Sequence, residues 1–150
     1  MRPLESFAER LGALINNLEP PAQKEMARAI AKRLRASQQQ NIKRQQAPDG
    51  TPFKPRRAEP VRKKKGRVKR EMFVKLRTAK YMKAKATNSE ASVEFVGNVQ
   101  RMAQVHHYGL RDRPTKQSKK VPYETRRLFG YSNEAYELIE ATIITFLNKK

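Results

Sequence analysis

The sequence predicts an α+β fold: an N-terminal helical hairpin, a small antiparallel β-sheet, and a C-terminal helix packed on that sheet. Three observations carry this expectation. Apolar residues recur every three or four positions near both ends of the chain, which is the spacing of one helix face. Between them, residues 81–96 alternate in polarity on both sides of a short polar turn, which is the spacing of a half-buried hairpin. The length, 150 residues, suits a single domain with one core.

At the N-terminus, Leu4, Phe7, Ala8, Leu11, Leu14, Ile15 and Leu18 form one apolar face. Glu19-Pro20-Pro21 ends that helix, and proline is tolerated in a first helical turn, so a second helix starts there. Its apolar positions are Met26, Ile30 and Leu34, with Ala27 and Ala31 beside them; it runs to about Arg44, with Ile42 as its last apolar contact. Residues 1–46 thus form a helical N-terminal part. Ala47-Pro48-Asp49-Gly50 is a turn signal, because proline presets its own φ and glycine takes a positive φ at little cost. Pro52 and Pro55 flank Phe53 and keep it extended.

Residues 54–85 carry fifteen lysines and arginines against Glu59 and Glu71, which accounts for thirteen of the chain's twenty net positive charges. Within this segment, residues 54–70 lack an apolar pattern and read as a basic flexible loop. Its candidate contact residues are Arg56, Arg57, Arg62, Lys63, Lys64, Lys65, Arg67, Lys69 and Arg70. Helical spacing returns briefly at Val68, Met72, Phe73 and Leu76. Residues 71–150 supply the sheet and the C-terminal helix.

In that half, lysines alternate with Met82, Ala84 and Ala86, Thr87-Asn88-Ser89 makes a turn, and Ala91, Val93 and Phe95 point to one side of a second strand. A short helix follows from Val99 to about His107, with Met102, Ala103 and His106 on one side and Gly109 as its stop. Leu110–Lys120 reads as a basic loop. Val121–Phe129 offers another strand, confined to a sheet edge by Pro122. Ser132 or Asn133 caps the last helix, whose inward stripe is Ala135, Leu138, Ile139, Thr142, Ile143, Phe146 and Leu147.

Composition excludes several function classes. The chain has no cysteine, so disulfides and thiolate metal sites are ruled out. No apolar run approaches the ~20 residues of a membrane span, and the first residues lack a secretory core. The expectation is a soluble protein made in the cytoplasm. The adjacent His106 and His107 point about 100° apart on a helix and cannot readily share a metal. No serine sits in a nucleophile elbow, and Gly66 stands among lysines without a second glycine to cradle phosphate. No catalytic residue, cofactor site or metal site is expected, and an enzyme is not predicted. The net charge of +20 instead directs the surface toward polyanions or acidic partners.

Three short patches stand out in order. The first is a Pro-Asp-Gly-x-Pro-aromatic turn at Pro48, Asp49, Gly50, Pro52 and Phe53. A His-x-aromatic-Gly element follows at His106, Tyr108 and Gly109. The last is a proline–arginine–apolar–glycine element at Pro122, Arg126, Leu128, Phe129 and Gly130. With this order and spacing the chain resembles the phage virion morphogenesis family over nearly its whole length, and more narrowly the tail completion branch found in Peduovirus-like contractile-tailed phages. The last element is longer here than the family's usual spacing, so Arg126 and Arg127 both match its arginine. The lysine-rich insert is more basic than the pattern requires.

The resemblance implies a non-enzymatic structural role at the head-proximal end of the tail, where tail meets filled head. It implies a homo-oligomeric ring, commonly hexameric, that meets the tail tube or terminator and head connector proteins. It also implies a place in the virion's tail or neck after assembly in the host cytoplasm. The competing reading of the residues is a nucleic-acid-binding protein that uses the basic segment 54–85 to neutralise phosphates. No recognition-helix signature accompanies that segment.

Overall fold

The computed structural model describes residues 3–55, 71–130 and 132–148. Arg56, Arg57, Arg62, Lys63, Lys64, Lys65, Arg67, Lys69 and Arg70, the heart of the expected basic loop, lie outside the described residues. In chain order the elements are α1 (Pro3–Asn16), α2 (Pro20–Lys43), β1 (Met82–Ala86), β2 (Ala91–Phe95), a 3₁₀ turn (Gly97–Val99), α3 (Gln100–Tyr108), β3 (Arg111–Asp112), β4 (Val121–Pro122) and α4 (Asn133–Leu147). The α+β class is as the sequence predicts. Among the described residues no helix is long and apolar enough to cross a membrane.

The chain forms two compact units. The first takes the segment up to Ser37, Lys83–Glu94 and the segment from Ser132; the second takes Gln38–Met82 and Phe95–Tyr131.

In the first unit α1 packs against α4. Met26, Ala27, Ile30 and Ala31 of α2 are buried, as are Ala135 and Thr142 of α4. Thr142 is the polar member of the expected stripe, and both lone-pair and proton needs of its hydroxyl are met. It donates to the Leu138 carbonyl at 2.7 Å and accepts from Arg33 Nη1 at 2.8 Å. Ser132 caps α4, its hydroxyl accepting the Ala135 N–H at 3.1 Å, which satisfies one of the donors a helix start leaves open. Gln23 Nε2 donates to the Ile15 carbonyl at 3.0 Å and ties the start of α2 to the end of α1. Leu14 departs from expectation: it is 51% exposed rather than part of the inward face. The hairpin turn closes with the Thr87 N–H donating to the Glu90 carbonyl at 2.8 Å, and Lys85 pairs with Glu94 at 2.5 Å. Lys83 and Lys85 are exposed as the alternation requires, but Ala91 through Glu94 are all half-buried, so β2 lacks a clean two-faced pattern.

The core of the second unit holds Ile42, Leu76, Met82 and Leu128, each at most 1% exposed. The end of α2 is a Schellman turn. The Gln46 N–H donates to the Asn41 carbonyl at 3.0 Å and the Gln45 N–H to Ile42 at 2.9 Å, with Gln45 left-handed at φ 56°. Four expectations change here. Met72 to Leu76 is a bend leading into a turn rather than a helical fragment, with Phe73 at φ 65° breaking the helical path. The Val121–Phe129 strand shrinks to Val121–Pro122, because its partner is only the two-residue β3, in the register Arg111↔Pro122 and Asp112↔Val121. The expected loop Leu110–Lys120 therefore contains a strand at its start. Met102 is 43% exposed, and the inward side of α3 is instead Ala103 and Val105.

Candidate functional site

The three sequence patches meet within the second unit. The first is built by local hydrogen bonding. The Gly50 N–H donates to the Ala47 carbonyl at 2.9 Å, and the Thr51 N–H donates to Asp49 Oδ1 at 2.9 Å. Gly50 takes φ 90°, a value that L side chains rarely adopt. Donation from the Thr51 N–H, and then from its hydroxyl, holds the Asp49 carboxyl below the usual carboxylate range. The turn is closed by the Ala47 N–H on the Thr51 carbonyl and by an isolated antiparallel bridge between Gln46 and Pro52. The Phe53 N–H then returns to the Gln45 carbonyl at 2.8 Å and delivers its ring to the interior, 7% exposed.

From Phe53 a row of rings runs edge to face. Phe53 meets Phe73 at 5.4 Å, Phe73 meets His106 at 4.8 Å, and His106 meets Tyr123 at 5.0 Å. This is the preferred geometry for aromatic quadrupoles, and each such pair contributes about 0.5–1.5 kcal/mol beyond burial. The row joins the first patch to the second and the second to the third.

Arg126 joins all three. It is 6% exposed, and its guanidinium donates from Nε to the Lys54 carbonyl at 2.7 Å and from Nη2 to the Pro55 carbonyl at 3.0 Å. Its Nη1 lies 3.2 Å from His106 Nδ1, and its backbone N–H donates to the His106 carbonyl at 2.7 Å. Arg127, the other residue matching the family's arginine, is exposed. The geometry thus assigns the buried role to Arg126.

His107 anchors the end of the third patch. Its Nδ1 accepts the backbone N–H groups of Leu128 at 3.1 Å and Phe129 at 3.4 Å, which requires the ring to be neutral with its proton on Nε2. Burial lowers its pKa, and the nearby Arg127 charge adds to the effect. Leu128 is held in the core, and the Phe129 ring stacks on Phe95 at 4.6 Å and 19°. Gly130 brings its backbone against Pro48, where an added Cβ would lie 3.4 Å from Cγ.

Gly109 caps α3 at φ 65°. A Cβ there would run into Thr125 Oγ1 and crowd the Thr125 nitrogen at 3.2 Å. Gly109 is thus required twice, by its own backbone and by the neighbour it admits. Pro122 sits in β4 at the exposed edge. Tyr108 is the exception among the patches: its side chain is 66% exposed and carries no core packing.

Gln45, Phe73 and His107 are site residues to which the sequence patches assign no part. Gln45 pairs its side-chain amide with both backbone polar groups of Met72: Oε1 accepts the N–H at 2.7 Å and Nε2 donates to the carbonyl at 2.8 Å. That pairing is the side-chain equivalent of a strand bridge, and it fixes the chain at Met72. At the start of the basic segment, Lys54 pairs with Glu124 at 3.0 Å, both largely exposed. Among the described residues no group of three or more histidines and carboxylates is placed to hold a metal ion. Asp112 stands beside Arg101, with Oδ2 3.5 Å from Nε, and the Arg113 backbone N–H, ahead of the Arg101 charge, lowers its pKa.

Within the second unit the three patches thus interlock through the buried Arg126 and the two histidines. In comparison with known proteins, residues 3–148 match the phage virion morphogenesis family, and the chain belongs to it. It is similar to the tail completion protein S of Escherichia phage P2, with 41% identity over 99% of this chain and 100% of that protein. No solved structure matches the chain.

Proposed function

We propose that this chain is a phage tail completion protein that acts without catalysis at the head-proximal end of the tail. The observation that carries this reading is the full-length likeness to tail completion protein S of phage P2. The described residues support it in kind. Arg126 and His107 hydrogen-bond backbone groups, and Arg126 also meets His106, which is how side chains serve a fixed scaffold. The protein acts as a homo-oligomeric ring, in six copies, against the tail tube or terminator on one side and head connector proteins on the other. It is made in the host cytoplasm and works in the virion's tail or neck.

A net charge of +20 opposes close association of like subunits unless counter-charge is supplied. Ring formation is therefore expected on the tail rather than in free solution. A phage deleted for this chain should yield filled heads and separate tails, and adding the purified protein should restore joined, infectious particles. Joined particles without the protein would refute the reading. Mass measurement of the protein alone and on tails tests the ring.

The concentration of charge in residues 54–85 favours one second reading, nucleic-acid binding. A mobility-shift series over salt decides it. No shift at low salt removes it, whereas sequence-selective binding that survives high salt would displace tail completion as the main task.

A further inference from the structure

Among the described residues Tyr108 is the most exposed large apolar side chain, and the backbone beneath it is fixed. The Arg126 N–H holds the His106 carbonyl, the Leu110 N–H holds Val105 at 2.9 Å, and the Tyr123 N–H holds Leu110 at 3.0 Å. The ring also leans edge-on against His107 at 4.7 Å. A tyrosine presented from so rigid a base loses little freedom on binding, and tyrosine and arginine dominate interface hot spots.

The surroundings of Tyr108 have a definite charge. Arg101 and Gln104 share its exposed face of α3, and Leu110 beside it is 46% exposed. The Arg101–Asp112 pair places β3 next to this face. From β3 the chain runs into the loop of Arg113, Lys116, Lys119 and Lys120. All four are exposed, and none forms an ion pair among the described residues. An apolar anchor with a cationic rim is the anatomy of a protein-binding patch.

We propose that Tyr108 and the basic β3–β4 hairpin form a docking surface for an acidic face of another protein. Tyr108 fills a pocket there, and the hairpin's cations meet the carboxylates around it. A second copy of this chain meeting it face to face is the wrong occupant, because both faces would carry the same charge on molecules already at +20. A polynucleotide fits less well, because one exposed aromatic is no stacking platform. The inference rests on the tail-completion reading and names the surface through which it works.

The probe is tails purified from a phage deleted for this chain. Co-sedimentation of the protein with those tails is measured at salt on the order of 0.05 M and 0.5 M. Tyr108→Ala is expected to weaken binding roughly tenfold or more, while Tyr108→Phe retains it. The triple change K116E/K119E/K120E is expected to weaken low-salt binding by about tenfold and to flatten the salt dependence. All of these residues are exposed, so unchanged thermal midpoints serve as the folding control. Wild-type binding with undiminished variants overturns the inference alone, and no wild-type binding removes it together with the functional reading. If the triple variant keeps its grip on tails but loses retention on immobilised DNA, the hairpin's partner is nucleic acid and the inference is wrong.

Discussion

Arg126 and His106 are joined twice, once through the guanidinium at His106 Nδ1 and once through the Arg126 N–H at the His106 carbonyl. The second link aligns the two backbones, and the first turns the arginine head toward the Lys54 and Pro55 carbonyls. Charged donors on neutral acceptors are worth about 1.5–3 kcal/mol, and removing one partner strands the others in a buried place. Arg126→Lys keeps the charge but cannot span the three acceptors, so it is expected to cost about 2–4 kcal/mol in urea unfolding. Arg127→Ala, on the exposed neighbour, should stay within about 0.5 kcal/mol. Equal effects of the two would refute the assignment of the family's arginine to Arg126.

Gly109 makes a second demand on the same junction. A left-handed backbone costs an L-residue about 1–2 kcal/mol, and collision with Thr125 adds overpacking strain. Gly109→Ala should therefore lower stability by about 2–4 kcal/mol. Gly50→Ala, at φ 90° with nothing within 4 Å of the added carbon, carries only the backbone penalty. Thermal unfolding of both should rank Gly109 well above Gly50. Thr125→Ala in the Gly109→Ala background should recover part of the loss.

The parts legible in the sequence are those decided locally. Ser132 starts a helix and Gly109 ends one through their own chemistry, and Lys83 and Lys85 mark the outer face of a strand by alternation. The patches were also found, but not their purpose, because only tertiary structure selects Arg126 over Arg127 by placing two carbonyls in reach. Leu14 and Met102 show the limit of periodicity: it places a residue on a helix face, while neighbours decide whether that face is covered. Gln45 gave no local signal, sitting in a glutamine-rich stretch where a glycine would have announced the left-handed turn.

That same glutamine yields an inverted ranking. Gln45→Ala keeps the left-handed strain and loses the amide pairing with Met72, for an expected loss of about 1–3 kcal/mol. Gln45→Gly loses the same bonds but relaxes the backbone, so it should be the milder change by about 1 kcal/mol. In helix interiors glycine is the worse of the two. Denaturant midpoints that place Gly below Ala here would show that the φ of 56° carries no strain.

Protonation of His107 supplies the last test. Its imidazole accepts two backbone N–H groups, so the protonated ring would face donors with a donor, and burial with the Arg127 charge holds its pKa below the ordinary histidine value of 6.5. The unfolded chain takes up that proton first. Stability is thus full above the unfolded value and falls as pH drops through about 6.5 toward the lower folded pKa, where the loss levels off. Asp49 and Asp112 are also depressed in the folded state, but they titrate from 3.8 downward and act in a separate, more acid window. Asparagine places an acceptor oxygen near the position of Nδ1 without titrating. His107→Asn should therefore flatten the stability profile just below about pH 6.5 while keeping the Leu128 link. A slope in that window unchanged by His107→Asn would mean that another group is responsible and that the His107 ring can be charged at no cost to the fold.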